Sequence, residues 1–349
     1  MPSSKPIKVA VVGTGSSARD HVTAFQEAGV EVLGVAGTNP ERRKRFAERH
    51  GIAINVEDYR ELLQMDDVDA LAICVPNHLH APAAIEAMRA GKHVLVEKPM
   101  ALNGDEAAEM VRVQKETNKT LMVSLQLRYS APLKLAKQFA AEFGDIYYGK
   151  CVYLRRSGIP GWGSWFTRKA QAGGGPTVDV AIHVLDQCLY LMGYPKPLYV
   201  TAHTYAEFGV RGHGKGPWGT PDPSGYCDVE DFAAALITLE DGRAISLETS
   251  WAYHGPDGRS VGVFGPEGGL TLEMNTLTVY KNQFDSPVTL HPGPPKENER
   301  VNMINHFVQC CQTGETPDTS PEHGLLLSRI FDAIYKSSAE NGRQVPVEL

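Results

Sequence analysis

Between residues 7 and about 125, short apolar runs rich in β-branched residues alternate with amphipathic stretches of helical period. The runs cover 7–12, 31–36, 69–75, 93–96 and 120–125; the stretches between them include 40–50, 82–90 and 105–118, with Gly51 and Gly91 placed as helix stops. Strands that alternate with helices in this way read as βαβ units, so the pattern predicts a doubly wound parallel sheet. After a helical stretch near 132–143 the pattern changes. Strands now follow one another, as in 232–239 and 244–251 around an Asp241-Gly242 turn, with further candidates at 150–155, 198–206, 260–264, 270–273 and 277–281. One strong helix is expected near 176–192 and closing helices near 301–313 and 322–338.

The predicted fold class is α/β: an N-terminal Rossmann-type domain over 5–125, then a C-terminal α+β domain over 126–349 with a large, mostly antiparallel open sheet. The C-terminal helices are free to pack back on the first domain. A length of 349 residues suits two domains of the usual ~100–200 each. The Gly/Pro-rich stretch 209–225 carries no periodicity and reads as a long surface loop or lid.

Bulk properties exclude several function classes. A formal net charge of −7, with no basic stripe, argues against a nucleic-acid partner. No signal-like segment and no run of 18 apolar residues occurs, so neither secretion nor a membrane span is expected. The six cysteines, at 74, 151, 188, 227, 310 and 311, lack CxxC spacing and read as reduced thiols of a cytoplasmic protein. Cys310 and Cys311 fall on opposite sides of an expected helix, against both a disulfide and a metal site; no metal is predicted.

At the end of the first strand stands Gly13-Thr14-Gly15-Ser16-Ser17-Ala18, a GxGxxA turn opening a helix. Gly13 permits the tight turn, Gly15 lets a pyrophosphate approach the backbone, and Ala18 lets helix and strand pack closely. This predicts an NAD(P) site. The end of the second strand reads Gly37-Thr38-Asn39 without the carboxylate that usually holds an NAD ribose, and Arg42 and Arg43 follow. That leans toward NADP, unless the two arginines belong only to the solvated basic face of their helix.

Three more segments fall in strand-end loops, where such a sheet lines its ligand crevice: Pro76-Asn77-His78-Leu79-His80, Glu97-Lys98-Pro99 and Gln126-Leu127-Arg128-Tyr129. Pro76, Asn77, His80, Glu97, Lys98 and Gln126 join the cofactor candidates, and Arg128 the substrate candidates. Further on, Gly173-Gly174-Gly175-Pro176 leads into Asp179 and His183, four apart and so on one helix face. A carboxylate beside an imidazole fixes its orientation and tunes it for acid–base work on a hydroxyl. Asp186 shares that face but reads as structural.

Together, GTGSSA, Pro76-Asn77 with His80, Glu97-Lys98-Pro99 and the triple glycine before Asp179 and His183 resemble the glucose–fructose oxidoreductase / inositol dehydrogenase / MocA family over nearly the whole chain. The resemblance implies a Rossmann domain followed by an α/β domain whose open sheet often makes homo-oligomer contacts, with the nicotinamide between the domains. It implies that Lys98 and His183 carry proton transfer, that Asp179 orients substrate or imidazole, and that Glu97 contacts the nicotinamide-side ribose. The chemistry agrees in outline: hydride leaves a carbinol carbon only as its hydroxyl proton is taken, which calls for a base and a nearby cation. Which of Lys98 and His183 is the base stays open.

The segment from Arg155 to Phe166, with Trp162 and Trp165, joins guanidinium donors to flat aromatic faces suited to a sugar or polyol, and Tyr153 precedes it. A loop pinned by two buried tryptophans is the structural alternative. Tyr153, Trp251, Tyr253 and His254 are weaker candidates, since alternating strand positions are more often core or interface. The expected activity is NAD(P)-dependent hydride transfer at a hydroxyl or keto carbon of a sugar, anhydrosugar or cyclitol. Its rivals are a glycosidase using the same cofactor, a non-enzymatic NAD(P)-binding regulator, and a metal hydrolase on His78, His80, Asp179 and His183.

Overall fold

The computed structural model describes residues 6–349, which divide into two compact units. The first comprises the chain up to Gln126 together with Asn298–Leu325, and the second Leu127–Glu297 with Leu326–Leu349.

In the first unit, β1 (Lys8–Val12), α1 (Ser16–Glu27), β2 (Glu31–Ala36), α2 (Pro40–His50), β3 (Ile54–Val56), α3 (Tyr59–Leu63), β4 (Ala70–Ile73), α4 (His80–Arg89), β5 (His93–Val96), α5 (Gly104–Thr117) and β6 (Leu121–Val123) follow in turn. Their six-stranded sheet has the order β3-β2-β1-β4-β5-β6 with every pairing parallel. Helices on both faces need strands that are apolar on both faces, and Val9, Ala10, Val11, Leu71, Ala72, Ile73, Val94 and Val96 are indeed all buried. The chain winds one way from β1 to β3 and the other way from β4 to β6, so β1 and β4 flank the switch point where such sheets bind ligands. Local chemistry sets the helix ends: Asn39 accepts from the Arg42 amide, Pro40 opens α2, and Gly51 closes it at φ +66°. The sequence reading missed β3 and α3, three and five residues long, too short for their periodicity to register.

The second unit contains α6 (Ala131–Ala140), β7 (Tyr148–Leu154), α7 (Lys169–Ala172), α8 (Pro176–Asp179), α9 (Ala181–Met192), β8 (Pro197–Tyr205), β9 (Phe232–Leu239), β10 (Ala244–Ser250), β11 (Gly258–Gly265), β12 (Gly268–Glu273), β13 (Thr276–Gln283) and β14 (Ser286–Leu290). Then α10 (Glu299–Thr313) returns to the first unit, α11 (Pro321–Ala339) begins there and ends in the second, and β15 (Val345–Pro346) closes the chain. The nine-stranded sheet runs β14-β13-β12-β11-β7-β10-β9-β8-β15, antiparallel but for the parallel β7–β10 pair. The predicted turn at Asp241-Gly242 is present, both residues having positive φ. Apolar α9 covers one face through β7, β10 and β11, while Tyr199, Leu236 and Tyr280 leave the sheet half exposed, as an open sheet requires.

Three differences from expectation have physical causes. The boundary at 126 does not hold for residues 298–325, which fall in the first unit by the packing back that the expectation left open: α10 packs on α1 and Asn298 Nδ2 donates to Glu27 at 2.8 Å. The helix expected over 176–192 is interrupted at Val180 (φ −112°, ψ −34°), which divides α8 from α9. β14 is exposed along its length and β15 has two residues, so neither carries the alternation that marks a strand. None of the six cysteines forms a disulfide, and among the described residues no helix is long and apolar enough to cross a membrane.

Candidate active site

The glycine turn after β1 sits where the sheet order reverses. Gly13 has φ +117°, and a Cβ there would lie 2.2 Å from the Cys74 carbonyl oxygen at the end of β4, so glycine is required by backbone shape and by the neighbouring strand. Gly15 differs: a Cβ would meet only Arg42 Nη2, at 3.9 Å. The fold itself tolerates a side chain at Gly15, which leaves close approach of a ligand as the reason for glycine. Gly15 caps α1 without a side chain, and no acidic residue stands in its first turn. The amides of Ser16, Ser17 and Ala18 therefore open a helix N-terminus with no internal anion, the donor set that suits a pyrophosphate.

The end of β2 lies beside this turn. A Cβ on Gly37 would press on Thr14 Cγ2 at 3.0 Å, Arg42 Nε donates to the Thr14 carbonyl at 3.1 Å, and Arg43 Nη1 donates to the Gly37 carbonyl. Gly13, Thr14, Gly15, Gly37, Arg42 and Arg43 are thus brought together, with Thr38 and Asn39 exposed at the rim. Asn39 spends its oxygen on the α2 cap.

The turn after β5 is braced from within. Glu97 is buried; its Oε1 meets His21 Nε2 at 2.7 Å and accepts from Ser124 Oγ at 3.2 Å, while its Oε2 accepts from the Lys98 amide at 3.2 Å. Burial alone would raise this carboxyl, but the hydrogen bond and charge of His21, with Arg300 and Lys98, hold it down to about 2. Through Oε2, Glu97 braces the Lys98 backbone. His21 was missed from the sequence. Its signal was its place three residues after Ala18 on the buried face of α1, with Val22 and Phe25, where a polar residue needs a partner.

His80 also proves to be a brace. Its Nδ1 lies 2.7 Å from the Pro99 carbonyl and its Nε2 2.8 Å from the Val75 carbonyl, so it ties the loop after β4 to the Lys98-Pro99 turn, which contains a cis peptide. At 1% exposure it has no nitrogen left for a cofactor or a metal. This corrects its assignment as a ligand contact and removes a member of the metal-hydrolase set. Lys98 itself is half-buried, Pro76 half-buried and Asn77 buried in the loop beside it, and Gln126 opens the turn after β6.

In the second unit, Gly173 closes α7 at φ +84°, and the next two glycines are required by packing. A Cβ on Gly174 would fall 1.8 Å from the Tyr335 hydroxyl and one on Gly175 2.0 Å from the Glu230 carbonyl oxygen. Glu230, itself buried, accepts from the Gly175 amide at 3.0 Å, the Thr177 amide at 3.1 Å and the Tyr335 hydroxyl at 2.9 Å. Asp179, the last residue of α8, accepts from Trp251 Nε1 at 2.9 Å, and His183 follows in the first turn of α9. Both are half-buried. Trp251 is 1% exposed within a cluster of Ile159, Val180, Val229 and Ala252, so the indole is a fixed donor that sets the carboxylate's direction. A tryptophan at a strand end is ordinarily core, so nothing local in the sequence marks Trp251 as the partner of Asp179.

The substrate candidates divide. Arg128 is withdrawn: it is 4% exposed, its Nε reaches Asp186 Oδ2 at 2.9 Å, and the Tyr194 ring lies 4.8 Å from its guanidinium. Its Nε and Nη2 both face Asp186, so the guanidinium serves a buried ion pair, and Asp186 is its structural partner. Arg155 Nη2 donates to the Tyr153 hydroxyl at 3.1 Å. Trp162 Nε1 donates to the Gly209 carbonyl at 2.8 Å with Lys215 over its ring, and Trp165 stacks on Phe166 at 3.7 Å, with Trp218 at the edge. The 160–167 segment is thereby tied to the glycine-rich loop after β8.

A βαβ sheet with an open helix N-terminus at its switch point, joined to a helix-backed antiparallel sheet, defines a nicotinamide-dependent oxidoreductase acting on CH–OH groups. Residues 7–125 match the family described as "Oxidoreductase family, NAD-binding Rossmann fold" and 136–271 the "GFO/IDH/MocA C-terminal domain". The chain belongs to the GFO/IDH/MocA oxidoreductase family. It is 29% identical over 350 residues to D-glucoside 3-dehydrogenase of Escherichia coli K12, covering 98% of each chain. It is 31% identical over 342 residues to levoglucosan dehydrogenase of Pseudarthrobacter phenanthrenivorans, covering 88% of this chain and 87% of that one. Among solved structures, levoglucosan dehydrogenase in complex with NADH and levoglucosan superposes with a TM-score of 0.87 at 26% identity, over 99% of this chain and all of that one.

Proposed function

We propose that this protein oxidises a secondary hydroxyl of a sugar, anhydrosugar or cyclitol to a ketone, or runs the reverse reduction, with NADP preferred over NAD. One observation carries the chemistry: the Trp251 indole fixes the Asp179 carboxylate four residues before His183, across the break at Val180, in an enzyme whose cofactor domain holds Lys98 on a braced turn. Lys98 and His183 handle the hydroxyl proton, and Asp179 orients imidazole or substrate. Bound nicotinamide supplies the hydride acceptor; what this chain supplies is placement of the proton-transfer groups and of their charges. The substrate class is supported by relatives named for a glucoside and for levoglucosan, both cyclic polyols, and by the arginines and aromatic faces of residues 153–166. The open face of the second sheet is the proposed contact of a homo-oligomer.

The lean to NADP is supported by Arg42 and Arg43, which reach back to the carbonyls of Thr14 and Gly37 beside the exposed Thr38, with no carboxylate at the end of β2. The test is a panel of sugars and cyclitols with each cofactor, followed by reduced-nicotinamide absorbance. Lys98→Ala and His183→Ala should lower kcat about 10²–10⁴-fold while cofactor fluorescence titrations shift little. Equal loss of cofactor affinity in both variants contradicts their catalytic role. Thr38→Asp should move the NADP/NAD ratio of kcat/KM toward NAD by about tenfold, through repulsion of a 2′-phosphate; an unmoved ratio removes the NADP preference.

A further inference from the structure

The last turn of α10 ends at Gly314, whose left-handed backbone (φ +75°) closes the helix and turns the chain back over it. His306 and Cys310 stand four apart on that helix and so share a face. The returning chain brings Glu315 and Asp318 to the same place. Cys310 Sγ lies 3.5 Å from His306 Nε2 and 4.0 Å from Glu315 Oε1. His306 Nδ1 is 4.0 Å from Glu315 Oε1, and Nε2 is 4.0 Å from Asp318 Oδ2. The thiol is fully buried, the imidazole largely buried and the two carboxylates exposed, so the group is rooted in the core and open on one side.

A tetrahedral Zn²⁺ holds sulfur at about 2.3 Å and nitrogen or oxygen at about 2.0–2.2 Å, which spaces its ligand atoms roughly 3.4–3.6 Å apart. One ligand atom each from His306, Cys310 and Glu315 already lies within 4.8 Å of the other two, so these three need to close by about 1.4 Å at most to meet that geometry, and the Asp318 carboxylate beside the imidazole supplies the fourth ligand. We propose that His306, Cys310, Glu315 and Asp318 bind one divalent cation of borderline softness, Zn²⁺ in the first instance, as a structural clip. The sequence predicted no metal because Cys310 and Cys311 face apart; the partners of Cys310 come instead from its own helix and from beyond Gly314. One thiolate and one imidazole beside carboxylates select Zn²⁺ over Mg²⁺ or Ca²⁺, which take oxygen alone. On binding, the Cys310 thiol gives its proton to solvent as the sulfur–metal bond forms, and nothing is oxidised or reduced. The hydrogen bond that the Asp318 amide donates to His306 Nε2 at 3.0 Å is exchanged for coordination.

The clip has a definite load. Thr120 Oγ1 donates to the Cys310 carbonyl at 3.3 Å, and the Val123 amide donates to the Thr319 carbonyl at 3.0 Å. Thr319 is therefore bonded to β6, the edge strand of the parallel sheet, and fastening the segment that leads to it onto α10 helps keep that edge covered.

Chelator-stripped protein titrated with Zn²⁺ should bind one cation per chain, release a proton and unfold at a higher temperature. With Co²⁺ as the spectroscopic probe, a thiolate-to-metal charge-transfer band should appear; it should vanish in Cys310→Ser and persist in Cys311→Ser. Asp318→Asn and Glu315→Gln change exposed side chains and keep the test valid if Cys310→Ser folds poorly; each should weaken Zn²⁺ about tenfold or more. Absence of the thiolate band, its survival in Cys310→Ser, or Zn²⁺ affinity unchanged in both carboxylate variants overturns the proposal.

Discussion

Two glycine-rich turns lead into helices in this chain, and they resolve the same electrostatic problem in opposite ways. At residues 173–177 the amides that open α8 point at a carboxylate of the chain itself, Glu230, which is buried and further anchored by Tyr335. At residues 13–18 the amides that open α1 have no such partner: the cap position is Gly15 and the first turn holds no acid. A helix N-terminus favours negative charge in either case. The internal anion makes the second turn a fixed support for Asp179, and its absence leaves the first turn open to an anionic cofactor, as proposed above. Glycine is needed at the second by the atoms of Tyr335 and Glu230, but at Gly15 by nothing within the protein closer than 3.9 Å.

The largest break in this contrast should come from Gly13→Ala. The new Cβ would collide with the Cys74 carbonyl, 2.2 Å away, at a φ of +117° that alanine adopts only under strain of about 1–3 kcal/mol. The turn should shift, with NADP affinity falling by about a hundredfold in fluorescence titrations and the melting temperature dropping by several degrees. Near-normal affinity would mean that the turn does not hold the pyrophosphate. A smaller effect is expected from Glu230→Gln. Glutamine keeps one acceptor oxygen where three donors converge, so stability should fall by about 1–3 kcal/mol and kcat should decline as Asp179 loses its support, while cofactor affinity is retained. Loss of cofactor affinity in Glu230→Gln would erase the distinction between the two turns.

The difference between the turns was only half legible in the sequence. The cofactor turn stood out because its reasons are local: glycines at fixed spacing, a strand before and a helix after. The βα alternation was legible on the same grounds, and five of the six parallel strands were found. The bracing residues were not. Glu230 lies 55 residues from Gly175, Trp251 lies 72 from Asp179 and Glu97 lies 76 from His21. Pairings so far apart leave no mark on periodicity, and each partner looks like an ordinary strand or helix residue. The same limit applies to His80 and Arg128: residue type and loop position suggest ligand contacts, while the Val75 and Pro99 carbonyls face the imidazole and Asp186, 58 residues away, holds the guanidinium.

The contrast is sharpened most finely by Ser16→Asp, which gives the first turn an acid of the kind the second turn already has. Ser16 is exposed and begins α1, so an aspartate can settle there without displacing packed atoms. An acid in the first turn of a helix is worth about 0.3–1 kcal/mol through the N-terminal amides, and the melting temperature should stay level or rise slightly. The same charge stands at the proposed pyrophosphate position, so NADP affinity should fall by about threefold to tenfold, and added salt should recover part of the loss by screening. Stability and affinity would then move in opposite directions on one substitution. Unchanged affinity together with raised stability would mean that the amides of α1 cap no ligand, and that the two turns are alike after all.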